Sequence, residues 1–442
     1  MAVLLTAAVA ICGGASRENP IRLAAVELLA LPVAAVAVRR LATGEARRPP
    51  TATLILLGLI LILPILQLVP LPPAIWTVLP GQAPRLDALG LAHLRTPWLP
   101  MSLAPAQTAA MALALIPPVA MFLASLSLDR PRARRLVILW LALAVLGLAL
   151  GLAQVASPGG GLAYPYRTTN LGSLVGLFAN RNHEAGFLLA LAPLAAALAT
   201  PPTGRGPRPH PTERPGGVDP RLWLLGAFIG LSVVALGVIR SRAGVILAGP
   251  AILAALAVIW RGSRGRLRWG SAVGFALVAA LAAIAVAVFG LTPILDRFGP
   301  RTSGEMRFEA WPYVAAAAER FLPLGAGLGS FDRVFQSVEP LGLVSVTYFN
   351  HDHNDYLELW LEAGWLGAAI LALFLLWLIA RALSAWREGS GLARAASAAI
   401  MLILAESAVD YPLRTETMMV LFAFCCALLA APRREGQREV PP

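Results

Sequence analysis

Long apolar runs dominate the chain, separated by short polar stretches. A membrane-crossing helix needs roughly 20 mainly apolar residues. Runs of that kind fall at 2–15, 22–38, 52–72, 104–127, 134–155, 183–200, 222–239, 243–260, 270–291, 361–380, 393–410 and 415–431. The pattern therefore predicts an all-α polytopic transmembrane protein with about twelve spans, forming a single integral membrane domain over residues 1–442. A long polar segment, 292–360, separates the ninth and tenth spans. Within it, Pro312 predicts that a short amphipathic helix in Met306 to Phe321 starts only after that proline.

Composition agrees with this class. The chain of 442 residues is 58% hydrophobic and 14% charged, whereas soluble chains are about 25% charged. Cys12, Cys425 and Cys426 all lie in apolar runs, so neither a disulfide framework nor a cysteine metal cage is expected. Residues 1–12 lack a basic leader and read as part of the first span, not as a cleaved signal.

The formal net charge is +12, and every basic residue is Arg. Placing the N-terminus in the cytoplasm and alternating twelve spans puts Arg39, Arg40, Arg47 and Arg48 on the cytoplasmic side. Arg130, Arg132, Arg134 and Arg135 follow there, and later Arg261, Arg381, Arg387 and Arg394. This is the positive-inside pattern, with both termini cytoplasmic. The basicity is thus assigned to membrane lipid headgroups and not to nucleic acid. The Pro- and Gly-rich stretch 201–221 reads as a cytoplasmic linker. The segments 73–103, 156–182 and 292–360, with the turns at Arg240 to Arg242 and Asp410 to Pro412, collect on the extracytoplasmic side. In the first of these, Trp76 and Trp98 suggest interfacial anchoring.

The densest polar cluster runs from Asn350 to Glu358 (NHDHNDYLE). Its two histidines, His351 and His353, would project from one side of an extended strand. That spacing suits a metal when Asp355 joins them, but Tyr356 stands where a further His would be needed. The remaining readings are a helix cap, with Asn354 in that role, or a general base. A neutral imidazole takes a proton from a hydroxyl near pH 7, and Asp352, Asp355 or Glu358 would orient it. Arg240 and Arg242 flank a minimal turn at the membrane border, where a guanidinium suits a diphosphate. Asn180 and Asn182 open the span at 183, as caps or as ligands. Arg307 is a third cation. Glu27 and Glu406 sit inside apolar runs. The Gly325-x-Gly327-x-Gly329 run has neither a strand before it nor a helix after it, so a nucleotide site is rejected.

Taken in order, these pieces resemble the O-antigen ligase/polymerase superfamily of bacterial membrane glycosyltransferases, of the GT-C type, over about residues 169–429. They are Phe178-x-Asn180-x-Asn182, Ser241-Arg242-x-Gly244, Arg307-x-x-x-Trp311, and Pro323-Leu324-Gly325-x-Gly327-x-Gly329-x-Phe331. His353-Asn354-x-x-Leu357, Glu362-x-Gly364 and Asp410-Tyr411-Pro412 complete the set. The resemblance implies an inner-membrane enzyme with its catalytic loop in 292–360. Its donor would be a glycan on undecaprenyl diphosphate. The acceptor would be a lipid A core or a growing glycan, and transfer would be inverting, with no metal or cofactor. It further implies that Arg242 and Arg307 hold the diphosphate and that His353 is the base. Asn180, Asn182, Arg240, His351, Asn354 and Asp355 would support them. A polymerase of the same superfamily and a transporter of lipid-linked sugars are the alternatives. The transporter would need polar residues along a path across the membrane, whereas here they gather at one face.

Overall fold

The computed structural model describes residues 1–16, 20–159, 161–168, 170–200, 220–262, 303–344 and 348–430. The expected span 270–291, most of the linker 201–221 and the stretch 292–302 lie outside the described residues. Among the described residues the regular structure is helical apart from a two-stranded ribbon, β1 (Pro70–Leu71) with β2 (Leu99–Pro100) antiparallel to it. The first helices are α1 (Ala2–Cys12), α2 (Pro20–Ala42), α3 (Thr51–Leu68), α4 (Pro73–Trp76) and α5 (Ala83–Leu91). Next come α6 (Pro105–Ala114), α7 (Ile116–Ser125), α8 (Arg130–Ala156), α9 (Arg181–Ala199), α10 (Pro220–Ile239) and α11 (Arg242–Gly262). The last five are α12 (Ser303–Glu319), α13 (Phe331–Gln336), α14 (Asp355–Glu388), α15 (Gly391–Glu406) and α16 (Glu416–Ala430).

Among the described residues, eight helical segments are long and apolar enough to cross a membrane. They are α2, α3, α6 with α7, α8, α9, α10, α11 and α14. The predicted spans 2–15, 393–410 and 415–431 appear as the shorter helices α1, α15 and α16. The predicted span 104–127 breaks at Leu115, because Pro117 and Pro118 open a new helix there. Helix α12 corrects another expectation, since it begins at Ser303 and runs through Pro312. The carbonyl that loses its donor belongs to Phe308, which is exposed.

Helix α9 forms the centre. It is apolar and small-sided all round, and nearly all of its residues are buried. That is what an unsided apolar helix requires. Helices α8, α10, α11 and α15 pack around it. At the ends of the helices away from α9's N-terminus, arginines predicted as cytoplasmic donate to terminal carbonyls. Arg134 bonds Ala197 and Leu198, Arg381 bonds Leu429 and Ala430, and Arg261 bonds Trp386. These cations satisfy orphan acceptors at helix C-termini.

The opposite end is built around a kink. Helix α14 breaks at Gly364, whose φ of 51° and ψ of −141° suit only glycine. The break frees carbonyls, and the Gly325–Gly329 run supplies donors for them. Ala326 N–H bonds Leu361 O at 2.9 Å, and Gly327 N–H bonds Glu362 O at 2.9 Å. Pro323 O in turn accepts from Trp365 N–H at 2.9 Å. Gln67 bridges the layers, donating to Glu362 O and accepting from Leu328 N–H. Leu103 N–H bonds Ala326 O, which brings in the segment 73–103. Trp76 of that segment is fully buried, against its expected interfacial place, with Nε1–H donating to Pro97 O at 2.9 Å. Trp98 is exposed.

A Cβ at Gly364 would stand 2.4 Å from Pro323 O. Gly364→Ala is therefore expected to cost roughly 1–3 kcal/mol for the backbone alone. Thermal unfolding of the purified variant checks this, and an unchanged midpoint would contradict it.

Candidate functional site

Asp410 is the hub of the polar end. It lies in the turn after α15, is fully buried, and gathers residues from three other parts of the chain. His353 Nδ1 is 3.2 Å from its Oδ1. Asn182 Nδ2–H donates to its Oδ2. Arg307 Nη1 stands 3.9 Å from Oδ2, and His183 Nε2 3.8 Å from Oδ1. Burial works against the charged carboxylate. The His353 hydrogen bond and the fields of His353, His183 and Arg307 outweigh it and hold Asp410 well below the usual carboxylate range.

An ionised carboxylate only accepts, so His353 Nδ1 carries the proton and donates. Burial lowers the pKa of His353 despite the bond to Asp410. The ring is thus neutral at pH 7, with its lone pair on Nε2. His353 also has a positive φ of 58°, a left-handed conformation that is costly for a non-glycine residue. The expected extended strand through His351 and His353 therefore does not form.

His351 belongs to a second cluster. Its Nδ1 is 2.9 Å from Glu358 Oε1 and its Nε2 is 3.5 Å from Ser16 O. Both partners are acceptors, so both ring nitrogens are engaged as donors. Burial opposes the charged ring, but Glu358 prevails and raises its pKa. Asp355, Glu358 and Glu362 stand on one face of α14, and the buried Arg414 joins all three. It donates to Glu362 Oε2 at 3.0 Å from both Nη1 and Nη2, and lies 3.4 Å from Glu358 and 3.5 Å from Asp355. The carboxylates raise its already high pKa against the effect of burial. Asp355 also accepts from Ser407 Oγ–H, which ties α14 to the end of α15.

The expected orienting groups are therefore corrected. Glu358 orients His351, and Asp410 orients His353, while Asp352 and Asp355 reach neither ring. Asp352 is buried with both carboxylate oxygens unpartnered, and burial, then Glu358, pushes its pKa up to about 9. The Tyr411 ring stands between the clusters, 4.6 Å from His351, 4.7 Å from His353 and 4.9 Å from His183. Burial and Asp410 raise its hydroxyl to about 12.

His353, Arg307, Asn180, Asn182 and Tyr411 line one cavity of about 350 Å³. Asn180 both caps α9, accepting from Asn182 N–H at 3.0 Å, and donates to Tyr411 Oη at 3.4 Å. Asn354 caps α14, accepting from Tyr356 and Leu357 N–H. Arg240 and Arg242 do not line the cavity. They stand at the start of α11, where Gly244 packs on Ala185 of α9. Among the described residues, no three His, Cys, Asp or Glu side chains are grouped as metal ligands. Sequence reasoning picked out Asp410 and Tyr411 as a motif without giving them a role in the site, and missed Arg414. The available signal was carboxylates at 355, 358 and 362, spaced for one helix face, with Arg414 in a polar turn between two apolar runs.

Residues 227–372 match a family model described as O-Antigen ligase. That segment, about a third of the chain, is similar to the O-antigen ligase family. The O-antigen ligase segment contains Arg240, Arg242, Arg307, His351 and His353, and stops short of α9 and of Asp410. No curated protein matches the chain. The O-antigen ligase match and the apolar helices together identify a multi-pass membrane protein with a glycosyltransferase-like role in polysaccharide assembly.

Two stability measurements probe the clusters. Arg414→Met strands three buried carboxylates and is expected to cost about 3–5 kcal/mol, visible as a large drop in unfolding temperature. Asp352 has a folded pKa raised above its unfolded value of 3.8. Its contribution to stability is fully present below pH 3.8 and is lost as pH rises towards about 9. Asp352→Asn, which carries no proton equilibrium, should thus gain stability over the native chain as pH rises from 5 to 9. A difference that stays flat with pH would contradict this.

Proposed function

We propose that this protein is an inverting glycosyltransferase that moves a glycan from undecaprenyl diphosphate to an acceptor hydroxyl at the extracytoplasmic face of the bacterial inner membrane. The observation that carries this is the pair formed by half-buried His353 and buried Asp410, with His353 on the wall of a cation-lined cavity. Asp410 fixes the His353 tautomer, leaving Nε2 to accept the proton of the acceptor hydroxyl. The deprotonated oxygen attacks the anomeric carbon, and the carbon–oxygen bond to the diphosphate breaks. His351 has acceptors at both ring nitrogens and no lone pair to offer, which favours His353 as the base.

The leaving diphosphate takes up the negative charge. Arg307, which lines the cavity, stabilises it, whereas Arg242, expected from the sequence to share this role, stands outside that lining at the start of α11. Fixed cations in a partly dry site act without reorganisation and are worth several kcal/mol. Asn180 and Asn182 donate to Tyr411 and to Asp410 and so hold those two groups in place. The acceptor is a lipid A core in the ligase reading and a growing glycan in the polymerase reading.

Purified protein in lipid nanodiscs, supplied with lipid diphosphate-linked glycan and both acceptors, tests this. His353→Gln is expected to lower transfer roughly 10²–10⁴-fold, the usual worth of a general base. Asp410→Asn should also lower it, because an amide favours the wrong tautomer. Since burial holds the pKa of His353 below 6.5, kcat/KM should be level above about pH 6.5 and fall as pH drops through that pKa. Asp410→Asn removes a field that raises the pKa, so the acid limb should move to lower pH. Transfer by His353→Gln at the native rate would overturn the assignment.

A further inference from the structure

A second cavity, of about 360 Å³, lies at the far end of the molecule from His353, between α1, α2, α8 and the turn after α7. Arg134 of α8 sets its level, because it donates to Ala197 and Leu198 at the C-terminus of α9. Asn180, on the wall of the His353 cavity, caps the other end of α9. The 19 residues of α9 rise roughly 28 Å at 1.5 Å each, close to the thickness of the hydrocarbon core of a bilayer. The second cavity thus stands at the membrane border that the sequence predicts as cytoplasmic.

Two helices build it with the same order of residue types. Helices α2 and α8 both pack on α1, and the cavity lies between them. On α2, Val33, Ala37 and Arg40 follow at helical spacing along one face, apolar within and cationic at the end. On α8, Arg132 and Arg135 stand in the opening turns and Leu136 lies deeper. Val33, Ala37 and Leu136 are buried, whereas Val3 of α1 lines the cavity and is exposed, like its neighbour Leu4. The apolar wall therefore runs out onto a flank that acyl chains would cover.

No Asp or Glu is among the described residues that line the cavity. Glu45 lies 3.9 Å from Arg40 and 4.0 Å from Arg39, and Asp129 lies 3.6 Å from Arg132. Ion pairs so open to solvent contribute little. Two carboxylates thus stand beside four cations, Arg39, Arg40, Arg132 and Arg135, and the rim keeps a positive surplus. Ser127 also lines the cavity, and among the described residues its buried Oγ has no hydrogen-bond partner. A buried polar atom of that kind calls for a partner, and a phosphate oxygen can accept its proton.

We propose that this cavity binds an anionic glycerophospholipid. Its phosphate stands among Arg40, Arg132 and Arg135 and accepts from Ser127 Oγ–H, while its acyl chains lie on Val33, Ala37, Leu136 and Val3. Basic pockets between spanning helices on the cytoplasmic side suit lipid phosphates, which guanidinium binds through paired hydrogen bonds. A soluble phosphate would gain nothing from the apolar wall. The site uses none of the residues assigned to glycosyl transfer.

The test places the full chain in nanodiscs of phosphatidylcholine with one fifth phosphatidylglycerol and reads the lipid retained on release by native mass spectrometry. The native chain should retain phosphatidylglycerol in preference to phosphatidylcholine. Arg40→Gln and Arg135→Gln should each lower that retention roughly tenfold, the worth of one charge-assisted hydrogen bond, and Ser127→Ala roughly threefold. Arg387→Gln removes the same charge from the exposed end of α14, outside the cavity. It should leave retention unchanged, which separates a pocket from the general basicity of that border. Equal retention of the two lipids by the native chain, native retention in both Arg→Gln pocket variants, or an equal loss in Arg387→Gln would overturn the proposal. Displacement of phosphatidylglycerol by inorganic phosphate would overturn it too, by showing a site for a soluble anion.

Discussion

The polar end of this protein depends on Arg414. Three carboxylates on one face of α14 are buried where water cannot solvate them, and a single guanidinium balances them. Burying such charges is costly, and the contacts offset that cost only when geometry and hydrogen bonds are both satisfied. Meeting that demand fixes the turn 407–415 against the start of α14. The turn carries Asp410 and the start of α14 carries His353. The pairing of His353 with Asp410 is thus a by-product of a buried ionic cluster that holds neither of them.

The kink at Gly364 works alongside. A straight α14 would have satisfied its own carbonyls and left nothing for the Gly325–Gly329 run to bind. Breaking the helix turns its upper part into a docking surface for the loop after α12. Helix α12 then brings Arg307 to within 3.9 Å of Asp410, and Trp311 Nε1–H to Asp352 O at 3.1 Å. The strained backbone is placed where the surrounding bonds determine it fully, as is usual for functional regions.

Much of this was legible in the chain. Apolar run length located the eight long apolar helices among the described residues, because a bilayer leaves a helix few alternatives. His353, Arg307, Asn180 and Asn182 could be picked out as polar residues with no place in such runs, and they do line one cavity. The partner of His353 could not be read off. Asp410 is 57 positions away, while Asp352 and Asp355 are near neighbours in sequence. Strand alternation also misled, because it assumes an extended backbone and His353 is left-handed. Pro312 stopped nothing, since its lost bond falls on an exposed turn. Local rules failed where long-range packing chose the conformation.

Tyr411 has a consequence of its own. Two histidines two positions apart would ordinarily share one electrostatic neighbourhood and titrate together. Here an aromatic ring is wedged between them, touching both imidazoles at under 5 Å, with a hydroxyl that keeps its proton throughout the neutral range. It separates the two rings, although the charge of His351 still helps to lower the pKa of His353. Glu358 raises the pKa of one imidazole against burial, while burial lowers that of the other despite Asp410. Two rings in a single short loop thus shift in opposite directions, and one holds its proton to higher pH than the other.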